Sequence, residues 1–204
     1  MQIKLDELSS PMAYFTMTQT VVPRPIAWIL SENEDAGFNL APFSYFNAVC
    51  SDPPLVMVSI GTQDDGSEKD TLRNIKARSQ FVIHIASSNQ LPELNQSSAT
   101  LPPGESEVLA NRLQTTSVQG FRMPRLSDCK IALMCERYQI QTIGNNQQSL
   151  LFAEIREIYL DDDCVEVSNK GRLKVLAERV QPLARLGAGE YASFGDVLVA
   201  QRPA

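Results

Sequence analysis

Short apolar segments, broken by proline and by polar clusters, recur along the chain and predict strands rather than long helices. Val21–Leu30 is interrupted by Pro23 and Pro25, so it reads as an edge or bent strand. Phe38–Val49 is aromatic-rich, and Leu55–Ile60 is almost continuously apolar, as suits a strand covered on both faces. Asp52, Pro53 and Pro54 between them predict a turn, because proline cannot join a ladder. Phe81–Ala86 reads as a further strand. Ile131–Ile143 and Leu150–Leu160 read as two long strands joined through Gly144, Asn145 and Asn146.

Helical signals are fewer. Asp70–Ser79 carries Leu72 and Ile75 on one face, Lys76 and Arg78 in its last turn, and Asp70 as the expected N-cap. Residues 88–112 hold proline-rich and short helical pieces, and Arg172–Arg179 reads as a short helix. The expected fold class is mainly β with peripheral helices, a closed or split β-barrel rather than a parallel α/β sheet. Without repeats or a low-complexity linker, residues 1–204 are expected to form a single domain. No GxGxxG or GxxxxGK[ST] sequence occurs, so a nucleotide cofactor would have to be held by another device.

Composition narrows the chemistry. His84 is the only histidine, which removes histidine-rich zinc sites, and inside an apolar strand it is expected to be structural and hydrogen-bonded. Cys50, Cys129, Cys135 and Cys164 form no CxxC pair and are expected to be reduced, buried or half-buried thiols. A net charge of −6 disfavours nucleic acid as a partner but leaves room for a local basic pocket. The longest apolar runs, Ile26–Leu30 and Ile131–Cys135, are far too short for a membrane span. The N-terminal stretch lacks a basic start followed by an apolar block, and a cytoplasmic protein is expected.

Three segments could carry chemistry. Lys69, Asp70 and Thr71 combine a cation, a helix N-terminus and a hydroxyl, the composition of a phosphate site. Read alone, the same residues are explained by a capped helix beside a solvated lysine. Asn39–Asn47 has Pro42 inside a strand, leaving backbone groups able to meet the polar edge of a flat heterocycle. Phe43 or Tyr45 could cover its face or simply pack in the core. Arg24, held between two prolines, suits an anion contact, although an isolated exposed arginine is commoner.

Taken in order, these segments resemble the flavin reductase-like, FMN-binding split-barrel family. The resemblance rests on Arg24–Trp28, Asn39–Asn47, Asp52–Ile60, Lys69–Ile75, Phe81–His84 and Arg185–Gly187, and spans residues 20 to 191. It implies noncovalent FMN on a split β-barrel and a homodimer whose interface borders the flavin. Carried over, Asn39, Leu40, Ala41, Pro42, Phe43 and Ser44 would meet the isoalloxazine and ribityl chain. Ser59, Ile60 and Gly61 would lie beside the flavin tail. Lys69, Asp70 and Thr71 would form the phosphate turn, with Arg24 a further contact.

The implied activity is NAD(P)H:flavin reduction, with NADH or NADPH as donor and a monooxygenase or other redox protein as partner. The alternative is an FMN-binding electron-transfer protein without efficient turnover. One departure favours that alternative. Where several family members carry a Gly-Asp-His-type segment, this chain has Gly144–Ser149, without the acid or the histidine.

Overall fold

The computed structural model describes every residue except Ala36, Pro103, Gly104, Asn146, Arg202 and Ala204. Asn146, expected in the turn between the long strands, thus lies outside the described residues. In chain order the strands are β1 (Arg24–Pro25), β2 (Ala27–Glu32), β3 (Phe38–Phe43), β4 (Phe46–Ser51) and β5 (Pro54–Ile60). They continue with β6 (Gln80–Ile85), β7 (Thr115–Thr116), β8 (Arg125–Leu126), β9 (Ile131–Ile143) and β10 (Gln148–Leu160). The last are β11 (Val165–Val167), β12 (Leu173–Val175), β13 (Ala184–Arg185) and β14 (Tyr191–Ala192). The α-helices are α1 (Ser10–Thr20), α2 (Asp70–Arg78), α3 (Leu91–Gln96), α4 (Glu107–Ala110) and α5 (Ala177–Val180). The fold is mainly β.

Seven strands build one sheet in the order β3-β2-β6-β9-β10-β5-β4, every neighbouring pair antiparallel. Its two edges, β3 and β4, are consecutive in the chain with only Ser44 and Tyr45 between them. Phe43 and Phe46 can therefore be no more than about 11 Å apart, so the edges are brought together and the sheet must curl. No ladder joins β3 to β4. The barrel is split, and its seam is bridged by covalent chain.

Side chains alternate along each strand and sort the core into two layers. Ala27 and Ile29 of β2, Val56, Val58 and Ile60 of β5, Ile83 and Leu151 share the layer that Leu72 and Ile75 of α2 cover. Trp28 and Leu30 of β2 point the other way, with Leu40, Val82 and Met134, under Leu94 of α3 and Val108 of α4. Complete burial of each Leu or Ile side chain is worth about 1.5–3 kcal/mol. Leu72 and Ile75, three residues apart on one face of the helix, anchor α2 on this layer.

Several elements differ from expectation. β2 lies between β3 and β6, so the segment after Pro25 is central rather than an edge; Pro23 and Pro25 fall before it. Met57 and Ser59 of β5 are only half-buried, because that strand is covered fully on one face. The stretch expected as a helix at Arg172–Arg179 splits into β12 and the single turn α5. Helix α1 had no periodic apolar face to announce it, and Met12, Tyr14, Phe15 and Met17 on it are exposed.

Candidate functional site

The start of α2 is open. Lys69, with extended backbone at φ −63° and ψ 145°, occupies the N-cap position and offers no capping side-chain bond. Asp70, expected as the cap, is instead the first helical residue, and its carboxylate pairs with Arg73 in the next turn. The first N–H groups of the helix and the positive end of its dipole are thus left without a side-chain acceptor. Lys69 is exposed and has no carboxylate partner among the described residues.

A buried polar network fixes this helix start. Asn39 Nδ2 donates to Thr71 Oγ1 at 2.8 Å and to Ser31 Oγ at 3.3 Å. Asn74 Nδ2 donates to Ser31 Oγ at 3.2 Å and to Asn33 Oδ1 at 2.9 Å. Each group is removed from water, so each must be bonded, and the pattern sets the register of α2 on β2 and β3.

The outer edge of β3 forms a second wall. Ser106 Oγ donates to the Phe38 carbonyl at 2.6 Å, and the Leu40 N–H donates to Glu107 Oε2 at 2.8 Å. Residues 38 and 40 therefore turn their backbone groups away from β2, and alternation gives Pro42 the same direction. A proline there costs no ladder bond and leaves a free carbonyl on the edge. Burial pushes the Glu107 carboxyl up from its ordinary range, opposed by the Leu40 N–H.

Between these walls lie two adjoining lobes of a cavity, sharing Pro42, Phe43, Thr62, Asp64, Lys69 and Ser98. The narrow lobe, about 460 Å³, is bounded by Asn39, Ala41, Asp70, Thr71 and Glu107. The wide lobe, about 740 Å³, adds Ser44, Ser59, Gly61 and Gln148 together with Tyr14, Tyr45 and Tyr191. Gln148 Nε2 donates to Ser59 Oγ at 2.9 Å, while its Oε1 lies 3.4 Å from where a Gly61 Cβ would stand. Of the residues expected at the site, Leu40 and Ile60 direct their side chains into the two core layers.

Arg24 is placed at the back of the wide lobe, only 5% exposed. Its Nη1 donates to the carbonyls of Thr18 (2.7 Å) and Val21 (2.6 Å), its Nη2 to that of Leu186 (2.7 Å), and its Nε reaches Ser44 Oγ at 3.4 Å. The guanidinium thereby clamps the end of α1 to the β13–β14 turn. His84, expected to be structural, is fully buried; its Nε2 accepts from the Leu126 N–H at 2.9 Å. Its Nδ1–H therefore donates to the Trp28 carbonyl at 3.1 Å, and desolvation lowers its pKa to about 4.

Tyr14, Gln148, Arg185 and Tyr191 line the cavity without having been singled out as site residues. For Arg185 a signal existed in the Arg185–Gly187 motif and for Gln148 in the Gly144–Ser149 stretch; Tyr14 and Tyr191 reach the site only through the fold. Among the described residues no cluster of His, Cys, Asp and Glu could hold a metal, and no helix is long and apolar enough to cross a membrane.

Residues 17–179 match the flavin reductase like domain. The chain is similar to nitrilotriacetate monooxygenase component B from Bacillus cereus, 28% identical with a TM-score of 0.88, covering 98% of each chain. It is also similar to the 2-nitrobenzoate 2-nitroreductase NbaA of Pseudomonas fluorescens, 30% identical with a TM-score of 0.88, covering 100% of this chain and 96% of that one. An uncharacterised Bacillus subtilis protein is 30% identical over 202 residues, 97% of each. With the split barrel and a domain match over most of its length, the chain belongs to the flavin reductase-like family.

Proposed function

We propose that the chain binds FMN noncovalently across the two lobes and serves as a flavin-dependent oxidoreductase. The observation that carries this reading is the uncapped start of α2 with Lys69, unpaired among the described residues, at the narrow end of a cavity whose other walls are the Pro42 end of β3 and aromatic rings. That donor set suits a phosphate, because backbone N–H groups, the dipole and a lysine act on the same anion. When bound, the flavin supplies the two-electron chemistry, taking electrons from NADH or NADPH and passing them on. The protein's own part is to bind and orient it. Lys69 and the first N–H groups of α2 hold the phosphate, Asn39 positions Thr71, the Pro42 carbonyl offers a polar contact to the ring system, and the Ser59 hydroxyl lies beside the flavin tail.

The same reading places a second copy of the chain over the mouth of the wide lobe, where Tyr14 and Phe15 are both lining and exposed. A monooxygenase or another redox protein fits as electron acceptor, since one similar structure is a monooxygenase component. Titrating the purified protein with FMN and recording its visible spectrum tests the binding. An unperturbed flavin spectrum at micromolar protein would reject it.

A second reading, an FMN-binding electron carrier, is favoured by the hairpin. The stretch from Gly144 to Ser149 brings Gln148 to the cavity and neither an acid nor a histidine. Anaerobic stopped-flow mixing with NADH and NADPH separates the two. Bound flavin bleached within seconds supports the reductase; bound flavin that stays oxidised supports the carrier.

A further inference from the structure

We propose that the wide lobe takes a second ligand beside the flavin, a planar aromatic carboxylate whose carboxylate is held by Arg185 and whose ring lies among tyrosine faces. The proposal rests on the flavin reading above, because it concerns the space that a mononucleotide anchored at Lys69 leaves over. Lobes of about 460 and 740 Å³ are each large enough for a small molecule.

Charge decides the class of ligand. Although the chain carries a net charge of −6, and with Lys69 given to the phosphate, the wide lobe is still lined by Arg24 and Arg185 against a single carboxylate, Asp64, among the described residues. Neither arginine has an acidic partner within ion-pair distance among those residues. Arg24 is buried, with its donors taken by three backbone carbonyls and the Ser44 hydroxyl and no carboxylate among them, so it lends the lobe a positive field without presenting its own donors.

Arg185 is the group able to contact the anion. It is half-buried, donates to the Ala188 carbonyl, and is steadied by the Tyr191 ring 4.4 Å beneath its guanidinium carbon. A fork held in this way, with donors to spare, matches the two oxygens of a carboxylate. The surrounding surface suits an aromatic ring: the tilted Tyr14 and Tyr45 rings, 6.3 Å apart at 45°, line the same lobe as Tyr191, Ile26 and Leu94.

The test is calorimetric titration of the FMN-loaded protein with benzoate and with benzamide, which differ in charge and little in shape. Flavin loading is read by visible absorbance in the same sample, so failure of FMN uptake is seen separately and rejects the flavin reading. Benzoate is expected to bind at least tenfold more tightly than benzamide. Arg185→Gln should weaken benzoate at least tenfold while leaving benzamide and FMN within twofold. Equal affinities for the two probes, or benzoate binding unchanged in Arg185→Gln, overturns the proposal. So does NADH binding that depends on Arg185 in a protein that takes up no benzoate, which would assign the fork to the nucleotide.

Discussion

Asn39 on β3 and Thr71 on α2 are joined by a 2.8 Å hydrogen bond inside the barrel, 32 residues apart in the chain. That bond couples the strand edge that borders the cavity to the helix start that would receive a phosphate. Replacing Asn39 by Ala leaves Ser31 and Thr71 with fewer buried partners. A loss of about 1–3 kcal/mol in folding stability is expected, measured as a lower urea midpoint at unchanged slope. An unchanged midpoint would show that the network is not what seats α2.

Lys69 is exposed, and its removal should cost the fold little. A charge-assisted hydrogen bond is worth about 1.5–3 kcal/mol, so Lys69→Ala should weaken FMN binding by roughly 10- to 100-fold. Absorbance titration reads the affinity directly. Equal affinities in the two proteins would remove the phosphate from the start of α2.

His84 makes stability depend on pH in a definite direction. Its pKa is lowered to about 4 in the folded protein by desolvation, against about 6.5 when unfolded. The unfolded chain therefore binds a proton first as pH falls. Stability is intact above about pH 6.5, declines toward pH 4, and by then has lost roughly 3 kcal/mol from this residue. Glu107, whose pKa is raised by burial, acts with the opposite sign just above the ordinary carboxylate range. Trp28, the single tryptophan, is fully buried beside His84 and reports unfolding by fluorescence. Urea midpoints equal at pH 7 and pH 5 would contradict the buried neutral imidazole.

Thiol chemistry should be selective. Cys50 is exposed on the edge strand β4, whereas Cys129, Cys135 and Cys164 are buried. Burial also pushes the Cys129 thiol up to about 12 and that of Cys135 higher still, which suppresses the reactive thiolate. Alkylation of the native protein followed by intact mass should add one label, and the denatured protein four. Fast labelling of a second cysteine in the native state would mean that a core layer opens.

Local patterns carried much of this fold. The two long strands, β6 and the apolar face of α2 were legible because period two and period 3.6 are written in neighbouring residues. The N-cap was misplaced by one position because Asp is the better capping residue, yet Arg73 one turn away takes its carboxylate. Arg24 looked like a ligand for an anion because two prolines hold it on a stiff backbone. Its partner Leu186 lies 162 residues away, and the carbonyls it binds exist as acceptors only once α1 ends. Tyr191 reached the cavity by topology alone. Pro42 was legible as an odd residue in a strand, but its direction followed from the bonds that Ser106 and Glu107 make to the same edge.

The two-residue bridge from Phe43 to Phe46 also bears on how a ligand gets in. Ser44 and Tyr45 in that bridge are lining residues of the wide lobe, so the seam and the doorway are the same stretch of chain. Because β3 and β4 share no ladder, the seam is held by the bridge itself, whose Tyr45 carbonyl accepts from the Ser59 N–H of β5 at 2.8 Å. One stretch of chain therefore does two jobs: it closes the sheet where no ladder can, with Phe43 and Phe46 at its two ends packed in the same core layer, and it shapes the cavity mouth.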